Sequence, residues 1–221
     1  MSQARAWLGR GWVLLGALGV LGAQEPAKIT PGAPQRGFFS QFTSRTQWQM
    51  PARVMDEIGV KPGMTVADVG AGDGWFTFYL AERVGSSGRV IAEDIDARAL
   101  EAVRGRCAQE KVSNVSVLVG GTEDPKLPAG AVDLVLMVNV LTSMGNTRAF
   151  LGNLAKGLNP EGRLVIIDWN PVKYTPEMAE REDPALRWIL RQIYDADFEV
   201  VKILDFLPAQ TIWVCKRRER G

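Results

Sequence analysis

Histidine is absent from the 221-residue chain. Ser-His-Asp and Cys-His catalysis both need an imidazole base, so neither operates here. The usual zinc sites also draw on histidine, and we predict no metal site. Cysteine is almost as scarce, with Cys107 and Cys215 the only two. Because one falls in a predicted helix and the other in the last predicted strand, we expect two free thiols rather than a disulfide.

A surplus of charge of either sign is also lacking. The chain has 26 Lys and Arg against 25 Asp and Glu, a formal net charge of +1. The total charge therefore gives no argument for binding nucleic acid, and we predict no nucleic-acid partner. The only basic cluster is Lys216-Arg217-Arg218 with Arg220, which we interpret as a solvated tail.

Acidic residues are missing from the N-terminus up to Glu25. Arg5 and Arg10 precede an apolar run from Gly11 to Ala23, a pattern typical of a secretory signal peptide. The run is short for a membrane span of about 20 residues. We predict that residues 1–23 are a signal peptide or an uncleaved membrane anchor, with an organelle transit peptide as a further alternative. The expected location is exported, periplasmic or membrane-anchored, with the cytoplasm as the alternative.

Strands and helices alternate along residues 48–221, which we predict to form one domain after a linker and N-terminal segment at residues 24–47. Apolar runs predict seven strands, and helical spacing of apolar residues predicts the intervening helices. This alternation indicates an α/β fold with a doubly wound, Rossmann-like, mostly parallel sheet. The link Leu207–Gln210 is too short for a parallel crossover, so we expect a C-terminal antiparallel hairpin. The predicted strands are Met64–Val69, Arg89–Asp94, Val115–Val119, Val132–Val138, Arg163–Asp168, Glu199–Phe206 and Thr211–Lys216, and the predicted helices are Pro51–Ile58, Trp75–Val84, Ala97–Gln109, Asn146–Leu158 and Pro184–Asp195.

Three glycines follow the first predicted strand at every second position: Gly70, Gly72 and Gly74. Glycine accepts a positive φ and lets a ligand approach the backbone closely. The helix that begins at Trp75 aims its free N–H groups at the same place. The stretch therefore predicts a ligand site rather than a plain turn. The dinucleotide pattern Gly-x-Gly-x-x-Gly needs a glycine where this chain has Trp75, which weakens the hypothesis of a nicotinamide dehydrogenase.

The pattern Asp-x-Gly-x-Gly-x-Gly, which starts at Asp68, resembles motif I of the class I S-adenosylmethionine-dependent methyltransferases. The resemblance implies that the loop passes under the methionine part of S-adenosylmethionine and that Asp68 faces the amino-acid end of this cofactor. In "VIAEDID", an acid at the end of the second strand can bind a ribose diol. The family pattern assigns that position to Asp94 and places Ile95 in the cofactor site. Glu93 is the alternative, because strand ends are hard to locate from sequence.

The stretch "GGTEDPKLPAGAVDLVLMVNVL" resembles the next two motifs of the same family. The resemblance implies that Thr122 and Glu123 lie near the adenine and that Asn139 lies beside the reacting centre. Many family members carry an aspartate where this chain has Gly121. The chain looks most similar to small-molecule methyltransferases of the ubiquinone and menaquinone C-methylating kind. Relatives of that shape often have histidine after the fourth strand, where this chain has residues 141–144, "LTSM".

The resemblance implies methyl transfer from S-adenosylmethionine to an unidentified small molecule. The sulfonium already activates the methyl group, so the protein mainly has to position the acceptor and exclude water. Asp168 and Tyr174 are candidate bases, and Asp168 is equally consistent with a loop cap. Trp48, Trp75, Trp169 and Tyr174 either line an apolar acceptor pocket, face the sulfonium or belong to the core.

A second hypothesis is a cofactor-binding protein of the same fold that has lost its catalysis. Gly121 and the missing histidines favour it. The predicted export signal favours it too, because S-adenosylmethionine is made in the cytoplasm. The acceptor and the oligomeric state have no signature in the sequence.

The predicted signal peptide leads to a direct test. We expect the mature protein from its source cells to begin near Gln24, because a signal peptide is removed after export. N-terminal sequencing of the purified protein measures this. Soluble cytoplasmic protein with an intact Met1 would contradict the export hypothesis.

Overall fold

A computed structural model of the chain describes residues 33–34, 36–173 and 184–218. The predicted signal or anchor, residues 24–32 and 35 of the predicted linker and N-terminal segment, and the candidate base Tyr174 lie outside these residues. Among the helices described, none combines the length and the apolar character needed to cross a membrane.

Seven strands form one mixed sheet. The strands are β1 Thr65–Val69, β2 Arg89–Asp94, β3 Val115–Val119, β4 Val132–Val138, β5 Leu158–Trp169, β6 Phe198–Leu204 and β7 Gln210–Arg217. Their order in the sheet is β3-β2-β1-β4-β5-β7-β6. Strands β1 to β5 are parallel, whereas β7 pairs antiparallel with both β5 and β6. The predicted doubly wound fold with a C-terminal antiparallel hairpin is therefore confirmed.

Helices cover both faces of the sheet, and alternate residues of each strand point to opposite faces. Val66 of β1 packs with Val54 and Leu80 on one face, while Ala67 packs with Leu151 and Ile189 on the other. The central strands are apolar on both faces because both faces are covered. The helices are α1 Arg36–Phe39, α2 Arg45–Gln49, α3 Pro51–Ile58, α4 Trp75–Val84, α5 Ala97–Glu110, α6 Thr147–Gly157 and α7 Pro184–Asp195.

Two parts of the chain differ from the sequence prediction. The short helices α1 and α2 were not predicted, since they are too short to show a helical period. Strand β5 begins at Leu158, which we predicted to end a helix, and so includes residues 159–162, which precede the predicted strand Arg163–Asp168. The pairing of β4 with β5 is irregular there: Val132 pairs with Leu158 and Leu134 with Arg163, so the intervening turn residues bulge from an otherwise continuous ladder.

The order of the strands reverses between β1 and β4. From β1 the chain winds outward through β2 to β3, and it then returns to place β4 on the other side of β1. In open α/β sheets a crevice forms at such a switch point, beyond the carboxyl ends of the strands. The glycine loop after β1, the acidic end of β2 and the exit of β4 all lie at this edge.

The central strand β4 offers a test of the packing. Leu136 is fully buried in a cluster with side chains of helices α3 and α4, among them Val54 and Leu80. We expect Leu136→Ala to lower the free energy of unfolding by about 2–5 kcal/mol, because it removes buried methyl groups and leaves a cavity. Ile203→Ala on the edge strand β6 is the control, since Ile203 is 54% exposed. Denaturant titration measures both, and equal losses would contradict the assigned core.

Candidate active site

The glycine loop is fastened to the end of β2 by three hydrogen bonds. The backbone N–H groups of Gly70 and Ala71 donate to the carbonyl oxygen of Glu93, at 2.8 and 2.9 Å. The N–H of Gly72 donates to the carboxylate of Asp94, with 2.9 Å between N and Oδ2. The loop and the acid predicted to bind the ribose therefore form one unit.

Each of the three glycines has a positive φ, but their surroundings differ. A Cβ built on Gly70 would lie 2.3 Å from Cγ2 of Val140, and one on Gly74 would lie 3.0 Å from Phe78 and Val103. A Cβ on Gly72 meets no heavy atom within 4 Å. Packing therefore favours glycine at Gly70 and Gly74, whereas Gly72 presents bare backbone to open space.

Asp94 has a structural task in addition to its predicted role. Its Oδ2 accepts from Gly72, and its Oδ1 accepts from the N–H of Asp96 at 2.9 Å. Asp96 in turn caps helix α5 by accepting from the N–H of Arg98. A carboxylate has about four lone-pair positions, so two hydrogen bonds leave capacity for the hydroxyls of a ribose.

A cavity of about 320 Å³ opens at the carboxyl ends of the strands. Five of the predicted site residues line it: Gly70, Asp94, Ile95, Thr122 and Asn139. The side chain of Ile95 is 60% exposed, which leaves an apolar surface beside the cavity. The remaining lining residues are Val69, Glu93, Gly121, Val138, Val140, Ser143, Met144, Gly145 and Phe150.

Two predicted carboxylates are bonded elsewhere. Asp68 is buried and accepts from the hydroxyl of Thr77 on α4, with 2.6 Å between the oxygens. Burial raises the pKa of Asp68 to about 6. Glu123 accepts from Nδ2 of Asn146 at 2.9 Å, which ties the loop after β3 to the start of α6. The structure thus places Asp68 beneath the loop and Glu123 outside the lining of the cavity.

Glu93, the alternative ribose ligand, points to the opposite face of the sheet from Asp94. It is only 2% exposed although it lines the cavity. Its Oε1 has no hydrogen-bond partner among the residues that the structure describes. Burial, followed by the nearby acids, raises the pKa of Glu93 to about 8. An unpaired buried polar atom at a cavity is a feature that calls for a ligand.

Two polar side chains, Asn139 and Gln210, are paired at the exit of β4, and only the first was predicted from the sequence. Asn139 has a φ of +58°, and its side-chain oxygen accepts from Nε2 of Gln210 at 2.8 Å. Gln210 begins β7 and is fully buried. Asn139 was predicted from its position, but no pattern marks Gln210, which reaches the site because β7 enters the sheet beside β5.

Asp168, a candidate base, is fully buried and holds a turn. Its carboxylate accepts from the N–H and the hydroxyl of Thr142 and from the N–H of Trp169. These bonds fix the short 3-10 turn Leu141–Ser143 at the rim of the cavity. The contacts support the capping interpretation of Asp168 rather than that of a free base.

Helix α2, which sequence reasoning missed, lies over the glycine loop. Arg45 forms a salt bridge with Asp73 at 3.3 Å, and its guanidinium lies 4.8 Å above the ring of Trp75. Trp48 of the same helix stacks on Trp169 at the end of β5, with ring centroids 5.6 Å apart. Trp48 and Trp169 therefore form an aromatic pair near the site, whereas Trp75 packs separately against Tyr79.

Comparisons with known proteins agree with this geometry. A family model described as a methyltransferase domain matches residues 60–210. Nocamycin O-methyltransferase of Saccharothrix syringae is 34% identical over 112 residues, which cover 51% of this chain and 40% of that protein. Demethylmenaquinone methyltransferase of Lactococcus lactis is 29% identical over 127 residues, which cover 58% of this chain and 50% of that protein. The chain thus spans about half the length, or less, of these relatives.

A solved structure has a similar fold. A SAM-dependent methyltransferase from Aquifex aeolicus superposes with a TM-score of 0.68 at 24% identity, covering 81% of this chain and 96% of that one. The strand order and the glycine loop define the class I methyltransferase fold. Since the family model covers more than half of the chain, this protein belongs to the family of class I S-adenosylmethionine-dependent methyltransferases.

Asp168 generates a prediction about stability and pH. Burial raises the pKa of the Asp168 carboxyl from its ordinary value near 3.8 to about 6. A carboxyl whose pKa is raised by folding stabilises the protein below the unfolded pKa, and this contribution is lost as the pH rises to the folded pKa. Relative to Asp168→Asn, the parent should therefore lose about 3 kcal/mol of unfolding free energy between pH 4 and pH 6 and change little above. Urea titrations across this range measure the difference, and parallel pH profiles would contradict the shift.

Proposed function

We propose that this protein binds S-adenosylmethionine at the glycine loop and transfers its methyl group to a small molecule. The observation that carries the proposal is the hydrogen bond from Gly72 to Asp94. It joins the bare backbone of the glycine loop to Asp94, which lines the cavity and to which the family pattern assigns the ribose. Family membership supports the same ligand.

The described residues fit this cofactor. Gly72 leaves room for the ligand against the backbone, Asp94 retains acceptor capacity for the ribose diol, and Ile95 offers an apolar surface for the base. Asp68 lies below the loop, where its charge acts on the amino-acid end of the cofactor. When bound, the cofactor supplies a methyl group activated by a sulfonium.

The charges of the site also suit a cationic ligand. Burial raises the pKa of Asp68, and Asp94 lies close enough for its charge to raise it further. A sulfonium and an ammonium group would offset the charges of these two acids. Arg45 lies on the other side of the loop, where it pairs with Asp73.

The acceptor side is formed by different elements. Asn139 at the exit of β4 and Gln210 at the start of β7 supply polar groups, and the turn held by Asp168 forms part of the rim. The aromatic pair Trp48 and Trp169 lies at the end of β5. These groups can position a small acceptor with a flat apolar part and keep water away from the transfer. The relatives named above are methyltransferases for nocamycin and demethylmenaquinone, which agrees with an acceptor of small-molecule size.

Calorimetric titration with S-adenosylhomocysteine tests the proposed cofactor. We expect the parent to bind this product and not NAD. Asp94→Ala should weaken binding roughly ten- to a hundredfold, because a hydrogen bond to a charged acceptor contributes about 1.5–3 kcal/mol. Thermal melts of both proteins show whether the variant keeps its fold after losing the bonds from Gly72 and Asp96.

Asp96→Asn is the matched control, two residues further on. Asparagine caps a helix about as well as aspartate, so this change removes a charge and leaves α5 capped. Its affinity should equal that of the parent. Failure of the parent to bind S-adenosylhomocysteine would overturn the proposed function, and parent-like binding by Asp94→Ala would overturn the ribose assignment.

A further inference from the structure

Glu93 is a buried acid that the proposed function leaves without a role. It is 2% exposed and lines the cavity beside Asp94, and its Oε1 has no partner in the part of the chain that the structure describes. A buried carboxyl oxygen without a partner destabilises the fold. Its retention at the cavity therefore points to a ligand that completes its hydrogen bonds.

The backbone around Glu93 is shaped to accommodate its carboxyl group. A Cβ built on Gly120 would lie 1.7 Å from Oε1 of Glu93, so no other residue fits at that position without displacing the acid. Gly121 follows and also lines the cavity, without a side chain of its own. The carboxyl group of Glu93 thus fills the space that a side chain at position 120 would need, and Gly121 leaves the adjoining wall of the cavity without a side chain.

Burial favours the neutral form of this carboxyl, against a hydrogen bond from the N–H of Gly70, and the surrounding charges add to the effect of burial. The groups that act on Glu93 through their charge are Asp94, Asp68 and Asp124, all of them acids. Together with burial they raise its pKa to about 8, so the group is protonated at pH 7. A neutral carboxyl has one O–H donor and one carbonyl acceptor side by side.

We propose that Glu93 recognises the adenine of the cofactor, donating its O–H to the ring nitrogen N1 and accepting from the exocyclic amino group. This inference rests on the proposed function, in which the adjacent Asp94 binds the ribose. The base is attached to that ribose and has to occupy the cavity beyond it, between Ile95 and Phe150. Adenine presents an acceptor and a donor next to each other, which matches a neutral acid as it matches the amide of Asn or Gln.

Variants of Glu93 separate recognition from packing. Glu93→Gln keeps a donor and an acceptor in the same shape, so it should bind S-adenosylhomocysteine at pH 7 as the parent does. Glu93→Ala removes both groups and should bind roughly ten- to a hundredfold more weakly. Glu101→Gln, the same change on the exposed face of α5, is the control and should leave affinity unchanged.

A modified ligand identifies the group that is recognised. The 1-deaza analogue of S-adenosylhomocysteine has a C–H in place of N1. The parent should bind it more weakly than the unmodified ligand, whereas Glu93→Ala should bind the two equally. A parent that does not distinguish them, or a Glu93→Ala variant with parent-like affinity for S-adenosylhomocysteine, would overturn the role of Glu93.

The pH dependence of binding gives a third, independent readout. Above pH 8 the acid ionises and can no longer donate, so the affinity of the parent should fall relative to that of Glu93→Gln, which has no such ionisation. Measuring both proteins at each pH cancels the titration of the ligand itself. A constant ratio from pH 6.5 to pH 9 would contradict the proposal. Absence of binding by the parent at every pH would instead overturn the proposed function.

Discussion

The hydrogen bonds between the glycine loop and the end of β2 are the constraint on which the rest of the site depends. Gly70, Ala71 and Gly72 turn their N–H groups toward β2, and Asp94 accepts one of them through its side chain. This arrangement requires a positive φ at Gly70 and Gly72, which side chains tolerate poorly. Once the loop is fastened, helix α4 begins at Trp75 and Asp68 is enclosed beneath it.

A second consequence of the loop is a group of acids held close together. Asp68, Glu93 and Asp94 lie at the ends of adjacent parallel strands, where the geometry of the sheet brings them to one edge. Burial and mutual repulsion raise the pKa values of Asp68 and Glu93. Groups with such perturbed pKa values cluster at functional sites, which agrees with a cofactor site at this edge of the sheet. The absence of histidine is compatible with this chemistry, since the methyl group arrives already activated.

The acceptor side is built by a different principle, from segments that are far apart in the chain. Gln210 meets Asn139 across 71 positions of sequence, and Trp48 of α2 stacks on Trp169 at the end of β5. Asp168 holds a turn that starts 27 residues before it, at Leu141. The cofactor side is thus encoded in short local motifs, whereas the acceptor side depends on how the N-terminal helices and β7 pack onto the finished sheet.

The sequence by itself determined the order and type of most elements, because apolar periodicity and glycine placement act locally. It also located the glycine loop at Gly70–Gly74, and the family pattern assigned the ribose to Asp94 with Glu93 as the alternative. Only the tertiary structure distinguished the surroundings of these two acids: Asp94 is bonded to the loop, whereas Glu93 is buried. It likewise turned Asp168 from a candidate base into the cap of a turn and brought Gln210 to the site. These outcomes depend on strand order and on the face toward which each side chain points, and both are set by long-range packing rather than by any pattern within a few residues.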